Sequence, residues 1–186
     1  NEPETLFGHL HEIADRVDNV IVYKSRIGRY PFMMTPGMNG HINCHNYFYG
    51  PSYREAHKLL NASFIPVDLP NYYRMVNRHK PCNIFTAQVS PMTEDGKLYV
   101  GMNQTIEYYA IKDAVEVNPN LTYMNGSAYI PVEAVTLLYE VNTPEYCIGP
   151  VTTTPEEDKI GEMVASLIED GDTIQMGIGG IPDTVG

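Results

Sequence analysis

The spacing of hydrophobic residues predicts helices that alternate with short strands along this 186-residue chain. Apolar side chains recur every three or four residues over residues 3–18, which predicts an amphipathic helix, and Val20 to Tyr23 predicts the first strand. The same pattern predicts a helix over residues 104–114 and further strands at 46–49, 64–67, 84–89, 97–100 (returning as a hairpin with the strand before it), 115–117 and 134–141. This alternation is typical of an α/β domain with a largely parallel sheet.

Two further helices are predicted from signals at their N-termini. Ser52 followed by Glu55 matches a capping box, in which each residue satisfies a free backbone N–H of the other. Thr154 and Glu157 have the same spacing, with a proline at the first helical position between them. The second of these helices has an apolar face and is expected to end at Gly171.

A glycine-rich turn near the C-terminus is the strongest candidate for chemistry. Thr173 to Met176 predicts a short buried strand, the glycines after it break that strand, and the following proline fits the first turn of a helix. Backbone N–H groups without a Cβ in the way then lie at a positive helix end, which suits a phosphate or an oxyanion. The candidate binding residues are Gln175, Gly177, Gly179, Gly180, Ile181 and Pro182. The alternative is a structural turn that simply needs small residues, since Pro182 replaces the last glycine of a dinucleotide-binding motif.

Other segments offer weaker candidates. Residues 30–40 form an unusually apolar loop, which either packs against the core or makes a flexible wall of an acyl pocket. Segments around two of the predicted strands supply the candidate substrate-pocket residues Asn46, Gly50, Ser90 and Pro91. His41, Cys44 and His45 have no second cluster of metal ligands, so no metal site is expected.

Charge and cysteine content narrow the classes of function. Lys and Arg total 12 against 23 Asp and Glu, a net charge of −11, so neither a nucleic acid nor an anionic membrane surface is an expected partner. No apolar run approaches the roughly 20 residues that span a bilayer, and no signal peptide is expected. Three widely spaced cysteines predict reduced thiols in a cytoplasmic protein. Asn1 and Gly186 both fall within predicted structure, so we expect the chain to be part of a longer one.

Four segments in order along the chain carry a family resemblance. They are residues 45–52 (HNYFYGPS), 62–67 (ASFIPV), 89–96 (VSPMTEDG) and 175–182 (QMGIGGIP), the last preceded by the helix around residues 159–165. The chain resembles the acetyl-CoA hydrolase/transferase family, and within it the 4-hydroxybutyrate and butyryl-CoA:acetate CoA-transferases. The resemblance implies an open, largely parallel, Rossmann-like sheet of the CoA-transferase type. Residues 1–150 would form most of the first α/β domain, and residues 151–186 a connector and the start of the second.

The resemblance also implies an activity. An enzyme of this kind transfers CoA between an acyl-CoA and a short-chain carboxylate such as acetate, butyrate or 4-hydroxybutyrate through a glutamyl-CoA thioester. CoA is then a substrate, no tightly bound cofactor is expected, and a homodimer is the expected assembly. The family's catalytic glutamate lies after the glycine turn in a segment that this chain lacks. Glu55, Glu94 and Glu133 are not assigned its role, so the nucleophile is expected beyond Gly186 and this chain alone is expected to be inactive.

The chain also departs from the family pattern. Pro-Arg-Thr and Gly-Asp-Ser are common in the family where this chain has Thr122-Tyr123-Met124 and Gly126-Ser127-Ala128, so an arginine that could clamp a carboxylate is absent at Tyr123. The acceptor acid therefore stays open. Three alternatives remain: an acetyl-CoA hydrolase, a sugar-phosphate isomerase of the same general fold, and a non-catalytic CoA- or nucleotide-binding module. A lysine near the glycine turns would support the isomerase, and the sequence has none there.

Overall fold

The chain divides into two compact units, Asn1–Glu145 and Tyr146–Gly186. The computed structural model describes residues 2–24, 28–68, 71–72, 82–100, 114–117, 129–144, 149 and 151–186. Residues 104–113 of the predicted helix and the segment around Tyr123 lie outside the described residues. No helix in the described part of the chain is long and apolar enough to cross a bilayer.

The first unit begins with a three-stranded parallel sheet. Its strands are β1 (Val20–Tyr23), β2 (Ile42–Asn46) and β3 (Ala62–Phe64), in the order β1-β2-β3. Val20 lies opposite Ile42 in the first pair, and Cys44 lies opposite Ala62 in the second. The predicted open, parallel α/β sheet is thereby confirmed.

Short helices connect and cover these strands. They are α1 (Glu4–His9), α2 (Pro31–Met34) and α3 (Pro51–Lys58). The single helix predicted over residues 3–18 is instead α1 followed by a 3₁₀ helix, Leu10–Arg16. Each of α2 and α3 begins with proline, whose fixed φ suits a first helical turn and whose missing N–H is not needed there.

The core of this sheet lies on one face of β2. Ile42, Cys44 and Asn46 are buried on that face, whereas the residues between them point to the other side. Rings from the helical side fill the core: the centroid of Phe7 lies 5.1 Å from that of Tyr30 and 5.9 Å from that of Phe32. The apolar loop at residues 30–40 thus packs against the core, with Phe32 fully buried, and is not a flexible pocket wall.

A buried ion pair links the start of the chain to the end of β1. Lys24 Nζ lies 3.3 Å from Glu2 Oε2 and donates to the Gly28 carbonyl at 3.0 Å. The Tyr30 hydroxyl donates to the same Glu2 oxygen at 2.8 Å, and Lys24 Nζ lies 4.7 Å from the Tyr30 ring centroid. Because both charges are buried, breaking this pair by removing one partner would cost several kcal/mol.

The remaining strands of the first unit form two further sheets. The strands are β4 (Thr86–Val89), β5 (Lys97–Tyr99), β6 (Ala114–Val117), β7 (Tyr129–Pro131) and β8 (Leu137–Glu140). β4, β6 and β8 form a parallel sheet in the order β4-β6-β8, and β5 pairs antiparallel with β7. The predicted hairpin between β4 and β5 is therefore wrong, although Ser90 N donates to Tyr99 O at 2.8 Å at the end of the connecting turn.

Several predicted boundaries are also wrong, for identifiable reasons. The strand placed at residues 46–49 lies at 42–46, and the one placed at 64–67 lies at 62–64. Ser52 is not a capping residue: Gly50 is the N-cap of α3, and no side chain caps it. Pro51 starts the helix earlier than the expected box, and Glu55 instead lies 2.6 Å from Arg29 Nη1, a partner distant in sequence.

The described part of the second unit contains two helices, α4 (Pro155–Ala165) and α5 (Gly180–Val185). The strand predicted at Thr173–Met176 is not formed, and no described strand of this unit pairs with it. Ile174 is 52% exposed and Met176 is 43% exposed. A buried strand needs neighbours to satisfy its backbone and cover its side chains, so β-propensity alone does not produce one here.

The burial of one thiol leads to a first prediction. Burial raises the pKa of Cys44 to about 12, partly offset by the neighbouring Tyr53 side chain and by the charge of Lys24. At pH 8 iodoacetamide should therefore modify the exposed Cys82 and leave Cys44 unmodified, because the thiolate is the reactive form. Mass spectrometry of tryptic peptides, with a urea-unfolded sample as the control, measures both sites.

The same pKa fixes the direction of a stability change. The pKa of a cysteine thiol in an unfolded chain is about 8.5. The stabilisation that the neutral, buried Cys44 thiol gives the folded state is therefore complete below that pH and is lost as the pH rises toward 12. In the iodoacetamide experiment, modification of Cys44 as fast as Cys82 in the folded protein would contradict the buried position of Cys44.

Candidate functional site

The glycine turn is held in a backbone conformation that only glycine adopts readily. Gly179 is the N-cap of α5, with φ 138° and ψ 174°. Its carbonyl accepts a hydrogen bond from Asp183 N at 3.1 Å, which closes the first helical turn. A Cβ on Gly179 would meet nothing closer than Pro182 Cδ at 3.9 Å, so its φ, not a lack of space, demands glycine.

The turn leaves backbone donors available. Among the described residues, none accepts a hydrogen bond from the N–H groups of Gly177, Ile178 or Gly179. Ile178 is fully exposed, and Gly177 and Gln175 are also exposed. The sequence had placed such donors here, and the structure has them free to meet an acceptor from outside.

Helix α5 is positioned by its close approach to α4. The Thr184 hydroxyl oxygen lies 3.2 Å from the Glu157 carbonyl oxygen and 2.8 Å from the Ile181 carbonyl oxygen, so it bonds to one of these two acceptors. A Cβ on the buried Gly161 would lie 2.7 Å from the Thr184 carbonyl oxygen, and one on Gly180 would lie 2.7 Å from Cδ of Glu157. Glycines at both points let the helices come closer than side chains would allow.

The Glu157 carboxylate is itself fixed. Its Oε2 accepts from Thr154 N at 2.8 Å, and the Thr154 hydroxyl accepts from Glu157 N at 3.3 Å. This is the predicted capping box, and it is confirmed. Since the cap fixes Glu157 and Glu157 lies against Gly180, the start of α4 helps to position the turn before α5.

The other predicted residues of the turn take less specific positions. Pro182 is in the first turn of α5, as predicted, and a Cβ on Gly177 would lie 3.3 Å from its Cγ. Ile181 is 39% exposed. Gln175 makes no contact that identifies it as a substrate ligand, so its role remains a prediction.

Two of the four candidate pocket residues lie together at the carboxyl end of β2. Asn46 is the last residue of that strand and is fully buried, and Gly50 is the N-cap of α3. Asn46 Oδ1 accepts from Phe48 N at 2.9 Å, whereas its Nδ2 has no hydrogen-bond partner among the described residues. The carboxyl end of a parallel strand is where ligands of open α/β sheets bind.

The other two candidates, Ser90 and Pro91, follow β4 in a different sheet. The Ser90 hydroxyl accepts from Tyr99 N at 3.1 Å and donates to the Pro91 carbonyl at 3.0 Å. The bond from Tyr99 N joins the end of β4 to β5, which is a sufficient structural reason for a serine at this position. No contact among the described residues brings this pair to Asn46 or Gly50.

The histidines near β2 do not converge. Cys44 faces the core, while His45 lies on the opposite face with its ring centroid 5.6 Å from that of Tyr23. His41 Nδ1 lies 3.1 Å from Asp18 Oδ1. Within the described ranges, no three His, Cys, Asp or Glu side chains form a group that could hold a metal ion.

Sequence reasoning missed a polar cleft on that opposite face. Its volume is about 370 Å³, and its lining includes Asn39, His41, Asn43, His45 and Ser63. The side-chain amide of Asn43 already donates a hydrogen bond to the Leu60 carbonyl at 3.0 Å. The alternation of apolar and polar residues along β2 could have revealed this face.

Comparison with known proteins identifies the family. No family model matches the chain. The succinyl-CoA:cyclohexane-1-carboxylate CoA transferase of Geobacter metallireducens is 30% identical over 159 residues, covering 83% of this chain and 36% of the relative. The 4-hydroxybutyrate coenzyme A transferase of Clostridium kluyveri is 31% identical over 156 residues, covering 80% of this chain and 36% of the relative. The chain belongs to the CoA-transferase family. It spans 36% of the length of each of these two relatives.

Solved structures support the same fold. RipA from Yersinia pestis matches with a TM-score of 0.87 at 23% identity, over 99% of this chain and 46% of that one. The 4-hydroxybutyrate CoA-transferase from Porphyromonas gingivalis matches with a TM-score of 0.66 at 25% identity, over 98% of this chain and 43% of that one. The CoA-transferase type of α/β fold expected from the sequence is thereby confirmed.

The close packing of α4 on α5 leads to a second prediction. Gly161→Ala should lower the free energy of unfolding by about 1–3 kcal/mol, because the added methyl group meets the Thr184 backbone, which cannot move as a side chain can. Urea denaturation followed by circular dichroism measures the change.

A matched control is Gly8→Ala in α1, where an added Cβ meets nothing within 4 Å. That change should be neutral or stabilising by about 0.5–1 kcal/mol, since alanine favours helix more than glycine does. Equal stability of the two variants would show that α4 and α5 are not packed as closely as described.

Proposed function

We propose that the protein containing this chain is an acyl-CoA:carboxylate CoA-transferase. The observation that carries the proposal is the 30% identity to a named CoA transferase over 83% of the chain. The free N–H groups of the glycine turn add chemical support, because acyl transfer develops negative charge on a carbonyl oxygen. CoA and a carboxylic acid are then the substrates.

The proposed reaction has two symmetrical halves. A glutamate outside residues 1–186 attacks the thioester carbonyl, which expels the CoA thiolate and forms a mixed anhydride. The thiolate then attacks the glutamyl carbonyl of that anhydride, releasing the donor acid as its carboxylate and leaving a glutamyl-CoA thioester. The acceptor carboxylate reverses these steps and departs as the new acyl-CoA.

The glycine turn would act on the charged intermediates. Each attack places a negative charge on a carbonyl oxygen, and the N–H groups of Gly177 to Gly179 are suited to stabilise it or to bind CoA. Gln175, exposed beside the turn, would add a side-chain amide donor. The carboxylate nucleophile is weak, so this stabilisation and exact positioning would supply most of the rate.

Exchange of the acyl group tests the proposal directly. The full-length protein is incubated with acetyl-CoA and butyrate or 4-hydroxybutyrate, and the CoA esters are followed by mass spectrometry. We expect butyryl-CoA or 4-hydroxybutyryl-CoA to appear together with free acetate. Trapping with hydroxylamine or borohydride should then place the modified glutamate in a peptide outside residues 1–186.

The other outcomes separate the alternatives. Release of free CoA without exchange would indicate an acetyl-CoA hydrolase, in which water replaces the acceptor acid. Binding of CoA with neither product would indicate a non-catalytic module. A trapped adduct at Glu55, Glu94 or Glu133 would show that the nucleophile has been assigned wrongly.

Gly179 gives the third prediction. Gly179→Val should lower turnover by roughly a hundredfold, the loss associated with one oxyanion donor, because valine resists φ 138° and its side chain would obstruct the approach. Steady-state kinetics of acetyl-CoA:butyrate exchange measures the change.

Gly171→Val is the matched control in the same unit. Gly171 also has a positive φ, 95°, but lies outside the turn, so its replacement should reduce stability without the hundredfold loss of turnover. A folded Gly179→Val variant with the activity of the Gly171→Val variant would make the glycine turn a structural feature only.

A further inference from the structure

The glycine turn before α5 has a sequence that does not hold its own backbone in place. Gly177, Gly179 and Gly180 are three glycines within four residues, and glycine restricts φ and ψ less than any other residue. An oxyanion site is effective when its donors are already in position as the charge develops. A turn of this composition therefore needs support from another part of the chain.

The support that reaches the turn from α4 is the carboxyl group of Glu157. If a Cβ is placed on Gly180, the three atoms nearest to it all belong to that group: Oε1, Cδ at 2.7 Å and Oε2 at 2.9 Å. Gly180 is the first residue of α5 and directly follows Gly179, the N-cap. The carboxyl group thus lies against the backbone at the point where the turn becomes a helix.

A helix cap alone does not account for this position. The capping box uses Glu157 Oε2, which accepts a hydrogen bond from Thr154 N at 2.8 Å. Oε1 takes no part in the box and is instead the carboxyl atom nearest to the Cβ position of Gly180. One side chain therefore connects the N-cap of α4 with the first residue of α5.

This connection can be removed without separating the two helices. The bond from Thr154 N limits how far the Glu157 side chain can swing, so the carboxyl group is a fixed support. A second contact, where Gly161 meets Thr184, also joins α4 to α5 and does not involve the Glu157 side chain. Loss of that side chain would therefore leave the helices packed and the turn unsupported.

We propose that Glu157 is a positioning residue for acyl transfer, because it holds the N–H groups of residues 177–179 in place through Gly180. This inference rests on the proposed CoA-transferase function. Glu157 acts by its shape and by one hydrogen bond, and glutamine keeps both, since it also serves as the third residue of a capping box. The oxyanion forms only during the reaction, so loss of the support lowers kcat and leaves KM nearly unchanged.

Kinetics of the full-length protein with acetyl-CoA and butyrate or 4-hydroxybutyrate test the inference. We expect Glu157→Ala to lower kcat at least about tenfold, with KM for both substrates within about twofold of wild type, because misplaced donors lose most of their effect. Glu157→Gln should restore kcat to within about twofold of the wild-type value, since it keeps the shape and the hydrogen bond.

Asp158→Ala is the matched control. It removes the same charge one residue further along α4, together with a hydrogen bond from the Thr153 hydroxyl at 2.7 Å. Asp158 has this contact with Thr153 in place of one with the turn, so its replacement should leave kcat nearly unchanged. Urea denaturation confirms that each variant is folded under the assay conditions.

A substitution on the other side tests the contact itself. Gly180→Ala should lower kcat as much as Glu157→Ala does, because the added methyl group displaces the Glu157 carboxyl group and breaks its bond to Thr154 N. The double variant should be no worse than either single variant, since both changes act on one contact. If Glu157→Ala does not fold, Gly180→Ala measured against Asp158→Ala provides the same test.

Three results would overturn the inference and leave CoA transfer standing. They are equal kcat values in Glu157→Ala and Asp158→Ala, a loss in Glu157→Gln as large as that in Glu157→Ala, and additive losses in the double variant. Failure of the wild-type protein to exchange any acid would overturn the proposed function and this inference with it.

Discussion

The first sheet depends on the burial of a single face of its central strand. Ile42 and Cys44 are inaccessible on that face, and α1, α2 and α3 supply the side chains that cover it. Because a strand alternates its side chains between two faces, a shift of one residue would turn every core position outward. The register of β2 against β1 and β3 is therefore fixed by the core, and with it the point at which β2 ends.

That end is polar, and this has consequences for binding. Asn46 continues the buried face of Ile42 and Cys44, so the core terminates in an amide with only one of its two polar atoms satisfied. A hydrophobic residue there would pack without this cost. A polar residue in such a place, at the carboxyl end of a parallel strand, fits a site where a guest completes the hydrogen bonds.

The sequence predicts features that depend on neighbours along the chain. The capping box of Thr154 and Glu157 is confirmed because both partners lie within one helical turn. β2 was misplaced because the aromatic residues after it have high β-propensity, although the alternation of residues 42–46 was visible. The sequence predicts a capping role for Glu55, but Glu55 pairs with Arg29, and nothing local to either residue indicates that contact. The unpaired Nδ2 of Asn46 depends in the same way on where β2 ends in the fold.

The glycine turn combines a feature that its local sequence predicts with a contact that only the fold reveals. Its residues were identified correctly as a turn before a helix, yet their position was attributed to a strand at residues 173–176 that is not formed. Contacts with α4, the helix that precedes the turn in the chain, hold the turn in position. Glu157 is held by Thr154 and lies against Gly180, while Gly161 lets Thr184 approach the helix backbone. The order of the candidate oxyanion donors thus depends on a helix pair whose contact requires two glycines. That contact holds the turn in one position, whereas small residues alone would only permit it.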